Sequence, residues 1–275
     1  CRNASCLRGD NMAWSPKMEE SCRVLMESSE MSGDTLLITI ARISKVAADA
    51  AEVIRRASED ADYAKAAMLQ IKLLWTSYEQ LKSSLPSELL SHNVVSSHLH
   101  SAEVLIYEIA LYVPLASAFN QTMDMKRIEY FTTCLHAAKA CMENFLRLDI
   151  VIADMVTMLT FSHSMQVAHR LCLIECTGWD RAAAKATADP IYYLRSAVAL
   201  SEQANMMIKA KTGEDSLFLK AASAMSQAIP MWDAPLEKVA GTEPTAGEAI
   251  DSSLLDLADD FWLPDIFTQY WSNPI

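Results

Sequence analysis

Apolar residues recur every three or four positions along most of this chain, which is the spacing that places them on one face of an α-helix. One such series begins at Leu36 and ends at Ile54, directly after Asp34, whose carboxylate suits the N-terminus of a helix. Residues 1–30 contain no comparable stripe. The pattern therefore predicts helices from residue 31 onwards, preceded by an N-terminal extension or linker over residues 1–30.

Later in the chain the same spacing continues to residue 229, interrupted only by prolines and glycines. Asp189-Pro190 predicts a helix with proline in its first turn, and Thr212-Gly213 separates it from a last helix near 216–228. No stretch shows the alternation expected of a strand. We expect an all-α fold, a single large bundle-like helical domain over residues 31–229 with Phe131 and Phe145 in its core. The further stripes are Met68–Leu85, Leu99–Val113, Ile128–Phe145 and Ile152–Ile174.

Composition and charge exclude two classes of partner. No window approaches the roughly 20 consecutive apolar residues that a membrane span needs. The net charge is −12, which disfavours a surface for the phosphate backbone of nucleic acids. We therefore expect no membrane association and no direct contact between this part of the protein and nucleic acid.

The last 46 residues, 230–275, differ from the rest in composition. They hold five of the nine prolines, three of the six tryptophans and a net charge of −8. Acidic and large apolar residues alternate between Leu254 and Phe267, as in amphipathic activation segments. Two interpretations stay open: an activation surface that docks on the helical domain and is masked there, or simply the last helix of the fold. The residues predicted to contact a partner are Asp259, Asp260, Phe261, Trp262 and Phe267.

The sequence resembles the regulatory region, or middle homology region, of fungal binuclear zinc-cluster transcription factors. This resemblance implies a non-catalytic, effector-responsive nuclear domain that controls activation and contacts the transcription machinery or a coactivator through residues 230–275. The stretches that carry it are Asp34–Leu37 with Ile43-Ser44, Leu74-Trp75 with Leu81 and Leu85-Pro86, Leu99–Glu103 with Ile109–Leu111, Cys134–Ala140, and Gly178-Trp179-Asp180.

The family's DNA reader is a cluster of six cysteines that holds two zinc ions, and the resemblance implies that it lies upstream of this chain. Cys1, Cys6 and Cys22 are too widely spaced to form such a cluster. The chain begins at Cys1 without an initiator methionine, so we expect a fragment of a longer protein. No cofactor is expected in this fragment.

Three residues have the spacing of a metal site on one helix. His169, Cys172 and Cys176 lie at positions i, i+3 and i+7. A fourth ligand at His163 would lie about 240° around the same helix, given 3.6 residues per turn, and buried cysteines are common in ordinary cores. We predict no metal and no enzyme activity, with a helical metalloenzyme as the least favoured alternative.

The 15 methionines allow two interpretations, because methionine fills irregular gaps in cores and also lines adaptable apolar pockets. Gap-filling is favoured, and a pocket for a small lipophilic effector is kept as the functional hypothesis. The competing hypothesis is a helical protein-interaction or dimerisation module without a ligand pocket, with a homodimer left open. The candidate residues for the pocket wall are Trp75, Tyr78, Phe131, Met142 and Phe161.

Overall fold

The computed structural model describes residues 14–28, 33–113, 121–151 and 155–240. Within these ranges the regular structure is helical and contains no strand, so the all-α prediction is confirmed there. The helices fall into two compact units, one ending at Ala137 and one running from Ala138. None of the helices in the described ranges is long and apolar enough to cross a membrane.

The first unit is organised around α2, which packs against α1, α3 and α5. The side chain of Asp60 separates α2 from α3, where its Oδ1 accepts hydrogen bonds from the backbone N–H groups of Asp62 and Tyr63 at 2.9 and 3.1 Å. Such capping satisfies donors that the first turn of a helix leaves unpaired. The elements are α1 (Pro16–Ser28), α2 (Asp34–Glu59), α3 (Ala61–Ser83), α4 (Ser87–Leu90), α5 (Asn93–Glu108), a 3₁₀ turn (Ile109–Leu111) and the first part of α6 (Gln121–Leu146).

Helix α1 lies in the stretch that showed no apolar stripe. Its first turn is capped by Ser15, whose Oγ accepts a hydrogen bond from the backbone N–H of Met18 at 3.2 Å. Arg23 pairs with Glu20 and Glu27, both at 2.6 Å, and Cys22 is its buried residue. Ion pairs and a narrow contact with α2 therefore stabilise this helix, and neither produces a periodic apolar stripe in the sequence.

The second unit contains the end of α6 and the four helices that follow it. The predicted start at Asp189-Pro190 is confirmed, since Asp189 Oδ1 accepts a hydrogen bond from the N–H of Ile191 at 2.9 Å. The predicted break at Gly213 is also confirmed, with φ at +82° in the left-handed region that glycine adopts readily. The helices are α7 (Met155–Leu173), α8 (Arg181–Thr187), α9 (Pro190–Thr212) and α10 (Leu217–Ala240).

Helix α10 extends beyond the predicted end near residue 228, through Pro230 and Pro235 to Ala240. Each proline removes a backbone donor from the helix. Trp232 and Leu236 are nevertheless almost completely buried against the unit, and this apolar burial offsets the lost hydrogen bonds. The boundary at residue 230 stays a prediction, and residues 241–275 lie outside the described ranges.

The core contains the two phenylalanines that the pattern on α6 places there. Phe131 in the first unit and Phe145 in the second are 0% and 5% exposed, so both predictions are confirmed. Phe145 stacks on Phe161 of α7 with ring centroids 4.1 Å apart. Every residue of α7 from Leu159 to Cys172 is buried, which makes this helix the centre of its unit.

Candidate functional site

A wide cleft of about 1190 Å³ opens in the second unit. The end of α7, the loop that follows it, α8 and the start of α9 surround the cleft, and residues of α6 and α10 complete its wall. This volume lies above the range of roughly 300–1000 Å³ that is usual for small-ligand sites. The cleft can therefore hold a small molecule in one part while the rest stays open to solvent.

One wall is built by the loop between α7 and α8. The chain turns at Gly178, where φ is +84°, and the backbone N–H of Trp179 donates to the carbonyl of Cys176 at 2.9 Å. The indole N–H of Trp179 donates to the carbonyl of Leu171 at 2.8 Å. Asp180 then caps α8 through a 2.9 Å bond from the N–H of Ala183. These bonds hold Trp179 at the wall of the cleft, with its indole N–H group already bonded.

Two adjacent tyrosines at the start of α9 also line the cleft. Tyr192 is 61% exposed, whereas Tyr193 is 5% exposed, and their rings meet edge to face at 5.2 Å. The hydroxyl of Tyr193 donates to Glu143 Oε1 at 3.4 Å. Burial, followed by the charge of Glu143, raises the pKa of Tyr193 to about 12. Tyr193 is thus a neutral hydrogen-bond donor at neutral pH, and Tyr192 supplies exposed ring surface.

Two of the three cations around the cleft lie beside carboxylates. Glu143 has Lys139 at 3.8 Å and Arg147 at 3.7 Å, and Arg181 pairs with Glu175 at 2.8 Å. In contrast, the half-buried side chain of Lys185 has no ion-pair or hydrogen-bond partner among the described residues.

The carboxylates of Asp180 and Asp189 also lie at the cleft, but both cap helices by accepting backbone N–H bonds. Lys185 therefore brings a positive charge into a largely apolar and aromatic wall, without a carboxylate in contact with it.

Cys172 lies at the cleft as a buried thiol. Burial is the main cause that raises its pKa to about 12, with the charge of Asp189 adding to the rise and that of Lys185 opposing it. The thiol is therefore protonated at neutral pH and is a poor nucleophile. Its Sγ lies 4.0 Å from the carbonyl of Ala188.

The three residues with metal-site spacing have different neighbours. His169 Nε2 contacts the carbonyl of Trp232 at 2.9 Å, whereas Cys176 Sγ lies 3.9 Å from the carbonyl of Thr177. Across the described ranges, no group of three or more histidine, cysteine and carboxylate side chains is arranged to hold a metal ion. The absence of a metal or other cofactor from this fragment stays a prediction.

Two of the five residues predicted to line a ligand pocket meet in the first unit. Trp75 stacks on Tyr78 with centroids 5.0 Å apart, and Tyr107 extends the cluster at 5.2 Å from Trp75. Phe131 belongs to the same unit, where the guanidinium group of Arg127 lies 5.2 Å from its ring centroid.

The other two predicted wall residues, Met142 and Phe161, are buried in the second unit. None of the five lines the cleft described above. Their role in ligand binding stays a prediction. The partner-contacting residues predicted in the acidic segment lie outside the described ranges: Asp259, Asp260, Phe261, Trp262 and Phe267.

The residues that do line the cleft were not singled out as ligand-binding candidates. Trp179 lay in a stretch that carried the resemblance, between a glycine that ends one helical segment and an aspartate that begins the next. Tyr192 and Tyr193 lie in the first turn of the helix that begins at Pro190. Because adjacent residues of a helix do not share a face, the two rings point in different directions. The sequence signal for these cleft residues was the presence of aromatic side chains at helix ends. The sequence does not show that these helix ends lie close together.

Comparison with known proteins gives a distant relationship. Transcription factor opdL from Penicillium oxalicum is 24% identical over 186 residues, which cover 65% of this chain and 32% of that protein. The chain is related to part of a fungal transcription factor. It spans about a third of the length of this relative. No family model and no solved structure matches the chain.

Proposed function

We propose that this chain is a non-catalytic, effector-responsive regulatory region of a fungal nuclear transcription factor and controls its activation of transcription. The similarity to transcription factor opdL carries the proposal, because it aligns with most of the chain. The resemblance to the middle homology region of zinc-cluster factors adds a regulatory rather than a DNA-reading role. Zinc is then expected only in an upstream DNA-binding cluster.

The site chemistry is consistent with binding rather than catalysis. In the cleft, the thiol of Cys172 and the phenol of Tyr193 have raised pKa values and stay protonated at neutral pH. Neither group is an activated nucleophile, and neither is hydrogen-bonded to a histidine among the described residues. A cleft with a fixed wall and neutral donors suits reversible recognition of an effector.

The acidic segment supplies the output in this proposal. Its first residues, 230–240, belong to α10, which is packed against α7 and α9, and residues 241–275 follow that helix in the sequence. Its acids keep it soluble and attract basic partners, while its aromatic residues provide the apolar contact with a coactivator or the transcription machinery.

A reporter assay tests the proposal. The 275-residue chain is fused to an unrelated DNA-binding domain in a fungal host, and transcription is measured at matched protein level. Replacing both Trp262 and Phe267 with alanine should abolish activation or alter its induction while leaving the melting temperature unchanged. The matched control replaces Ser252 and Ser253 with alanine, which removes no apolar surface.

Two outcomes contradict the proposal: a nuclear fusion that never alters transcription, and a stable Trp262/Phe267 double variant whose activation and induction equal those of the unchanged chain. Loss of stability in that variant instead identifies the segment as a structural helix.

A helical interaction or dimerisation module is the second candidate, and one observation favours it. Leu69 and Leu73 lie one turn apart on α3 and are 71% and 63% exposed. Exposed leucines at this spacing are typical of a helix-to-helix contact. Replacing both with glutamate should lower the mass measured by light scattering if the chain dimerises there. Lys72→Glu, on the same helix, is the control for added negative charge.

A further inference from the structure

We propose that the cleft of the second unit binds a small planar aromatic carboxylate, held by the ammonium group of Lys185 and by the ring faces of Tyr192 and Trp179. The inference rests on the proposed effector-responsive function and names the ligand class and the site. It differs from the lipophilic pocket that the sequence predicted, both in the residues used and in the charge of the ligand.

The charge of the ligand follows from the pairing of the groups around the cleft. Arg181 is bonded to Glu175, and Lys139 lies beside Glu143. Lys185 is the cation of this wall that has no such partner among the described residues. Its side chain is half-buried at the wall of the cleft, where a charge-assisted hydrogen bond to an anion is stronger than at an open surface.

The aromatic part of the ligand follows from the two rings at the wall. Tyr192 is largely exposed although it lies at a cleft, and its contact with Tyr193 is edge to face, so much of its ring surface stays accessible to a ligand. The indole ring of Trp179 is fixed by its bond to Leu171. Offset stacking on such rings contributes about 0.5–1.5 kcal/mol beyond the buried area. A planar ring fits this pair better than a branched aliphatic chain does.

The site is connected to the end of α10 through Leu236. This residue lines the cleft and is 2% exposed, and it lies four residues before Ala240, the last residue of the helix. Asp233, one turn earlier, lies 3.8 Å from Arg195 of α9. Because Pro230 and Pro235 remove two backbone donors, this end of α10 depends on side-chain contacts. A ligand that contacts Leu236 therefore acts next to the start of the acidic segment.

Binding of two matched probes tests the inference. 2-Naphthoate carries the ring and the carboxylate, whereas 2-naphthamide has the same ring without the charge. Titration calorimetry or ligand-observed NMR on the whole chain should give a dissociation constant on the order of 0.1 mM for 2-naphthoate, given ligand-efficiency limits for about 13 heavy atoms in an open site. The amide should bind roughly tenfold more weakly because it lacks the charge-assisted bond.

Three variants separate the roles of the residues. Lys185→Gln should weaken 2-naphthoate about tenfold and leave 2-naphthamide unchanged, because only the anion uses the ammonium group. Tyr192→Ala should weaken both probes, because both use the ring. Lys211→Gln is the control, since Lys211 is exposed on α9 and does not line the cleft. Circular dichroism confirms that each variant is folded.

Equal binding of the two probes, or an unchanged affinity for 2-naphthoate in folded Lys185→Gln, would overturn the inference. Adding 2-naphthoate to the reporter strain distinguishes failure of the ligand-site inference from failure of the proposed regulatory function. If 2-naphthoate binds but transcription does not change, the cleft is a binding site for this ligand class but is not the effector site. If the chain activates transcription but binds neither probe, the regulatory function is supported and the proposed ligand site is contradicted.

Discussion

His169 Nε2 lies 2.9 Å from the carbonyl oxygen of Trp232, and the two rings face each other with centroids 4.7 Å apart. Because a carbonyl only accepts hydrogen bonds, Nε2 carries the proton in this contact. The bond joins the C-terminal part of α7 to the part of α10 that lies between its two prolines. One histidine thus anchors the helix end from which the acidic segment continues.

This contact predicts a pH dependence of stability. Burial is the main cause that lowers the pKa of His169, and the charge of Arg170 lowers it further, although the bond to Trp232 opposes the change. The unfolded chain therefore binds the proton more tightly than the folded chain, with a pKa near 6.5. Above that pKa the contribution to stability is fully present, and it is lost as the pH falls towards the lower folded pKa.

Urea unfolding at pH 7.5, 6.5 and 5.5 measures this effect. The free energy of unfolding should fall across this range, by up to about 1.4 kcal/mol from this group at pH 5.5. His169→Gln keeps a side-chain N–H for the Trp232 carbonyl but does not titrate, so the fall should be smaller in that variant. An identical pH profile for the two proteins would show that His169 has no part in it.

Core packing predicts large losses for two phenylalanines. Phe131→Ala and Phe145→Ala each remove a buried ring, and each should cost about 3–5 kcal/mol in the free energy of unfolding. Met125→Ala is the control on the same helix, since Met125 is 73% exposed, and should change stability by less than about 0.5 kcal/mol. Losses for the phenylalanines as small as for Met125 would contradict the packing.

Two glycines provide a matched test of backbone strain. Among the described residues, an added Cβ meets no atom within 4 Å at either Gly33, the N-cap of α2, or Gly213, the C-cap of α9, so neither substitution causes a steric clash there. Gly213 has φ +82°, and Gly213→Ala should cost about 1 kcal/mol. Gly33 has φ −80°, which any residue adopts, and Gly33→Ala should change thermal stability by less than about 0.5 kcal/mol. Equal melting temperatures for the two variants would refute this assignment.

The buried thiols should resist alkylation in the folded chain. Burial raises the pKa of Cys141 to about 11 and that of Cys172 to about 12, so the reactive thiolate is scarce at pH 7.5. Iodoacetamide labelling followed by peptide mass spectrometry should modify these two residues only after unfolding in urea. Rapid modification of Cys172 without denaturant would show that the cleft is deeper or more open than described.

Metal analysis provides the last test. We expect no stoichiometric zinc and no hydrolytic activity in the purified 275-residue chain, because His169 already contacts the Trp232 carbonyl and no fourth ligand shares its face. A stoichiometric zinc signal that disappears when Cys172 and Cys176 are replaced by serine would establish the metal site instead.

Local patterns predicted most of the helices because each signal acts within one or two turns. Apolar spacing placed the core stripes, Asp189 capped its own helix, and Gly213 ended one. The apolar pattern did not predict helix α1, because ion pairs and a narrow contact with α2 stabilise that helix. The sequence pattern did not predict the end of α10 either. Pro230 and Pro235 are local signals that break helices, and the burial of Trp232 outweighs their cost.

The sequence by itself determined the helical class, the core phenylalanines and the acidic character of the last 46 residues, because periodicity and charge are properties of neighbouring positions. Only the tertiary structure decided that Trp179, Lys185 and Tyr192 share one cleft and that Trp75 and Tyr78 form a separate cluster. The physical reason is that a binding site joins side chains from different helices. Their convergence depends on how those helices pack, and packing is set by contacts between residues distant in the sequence.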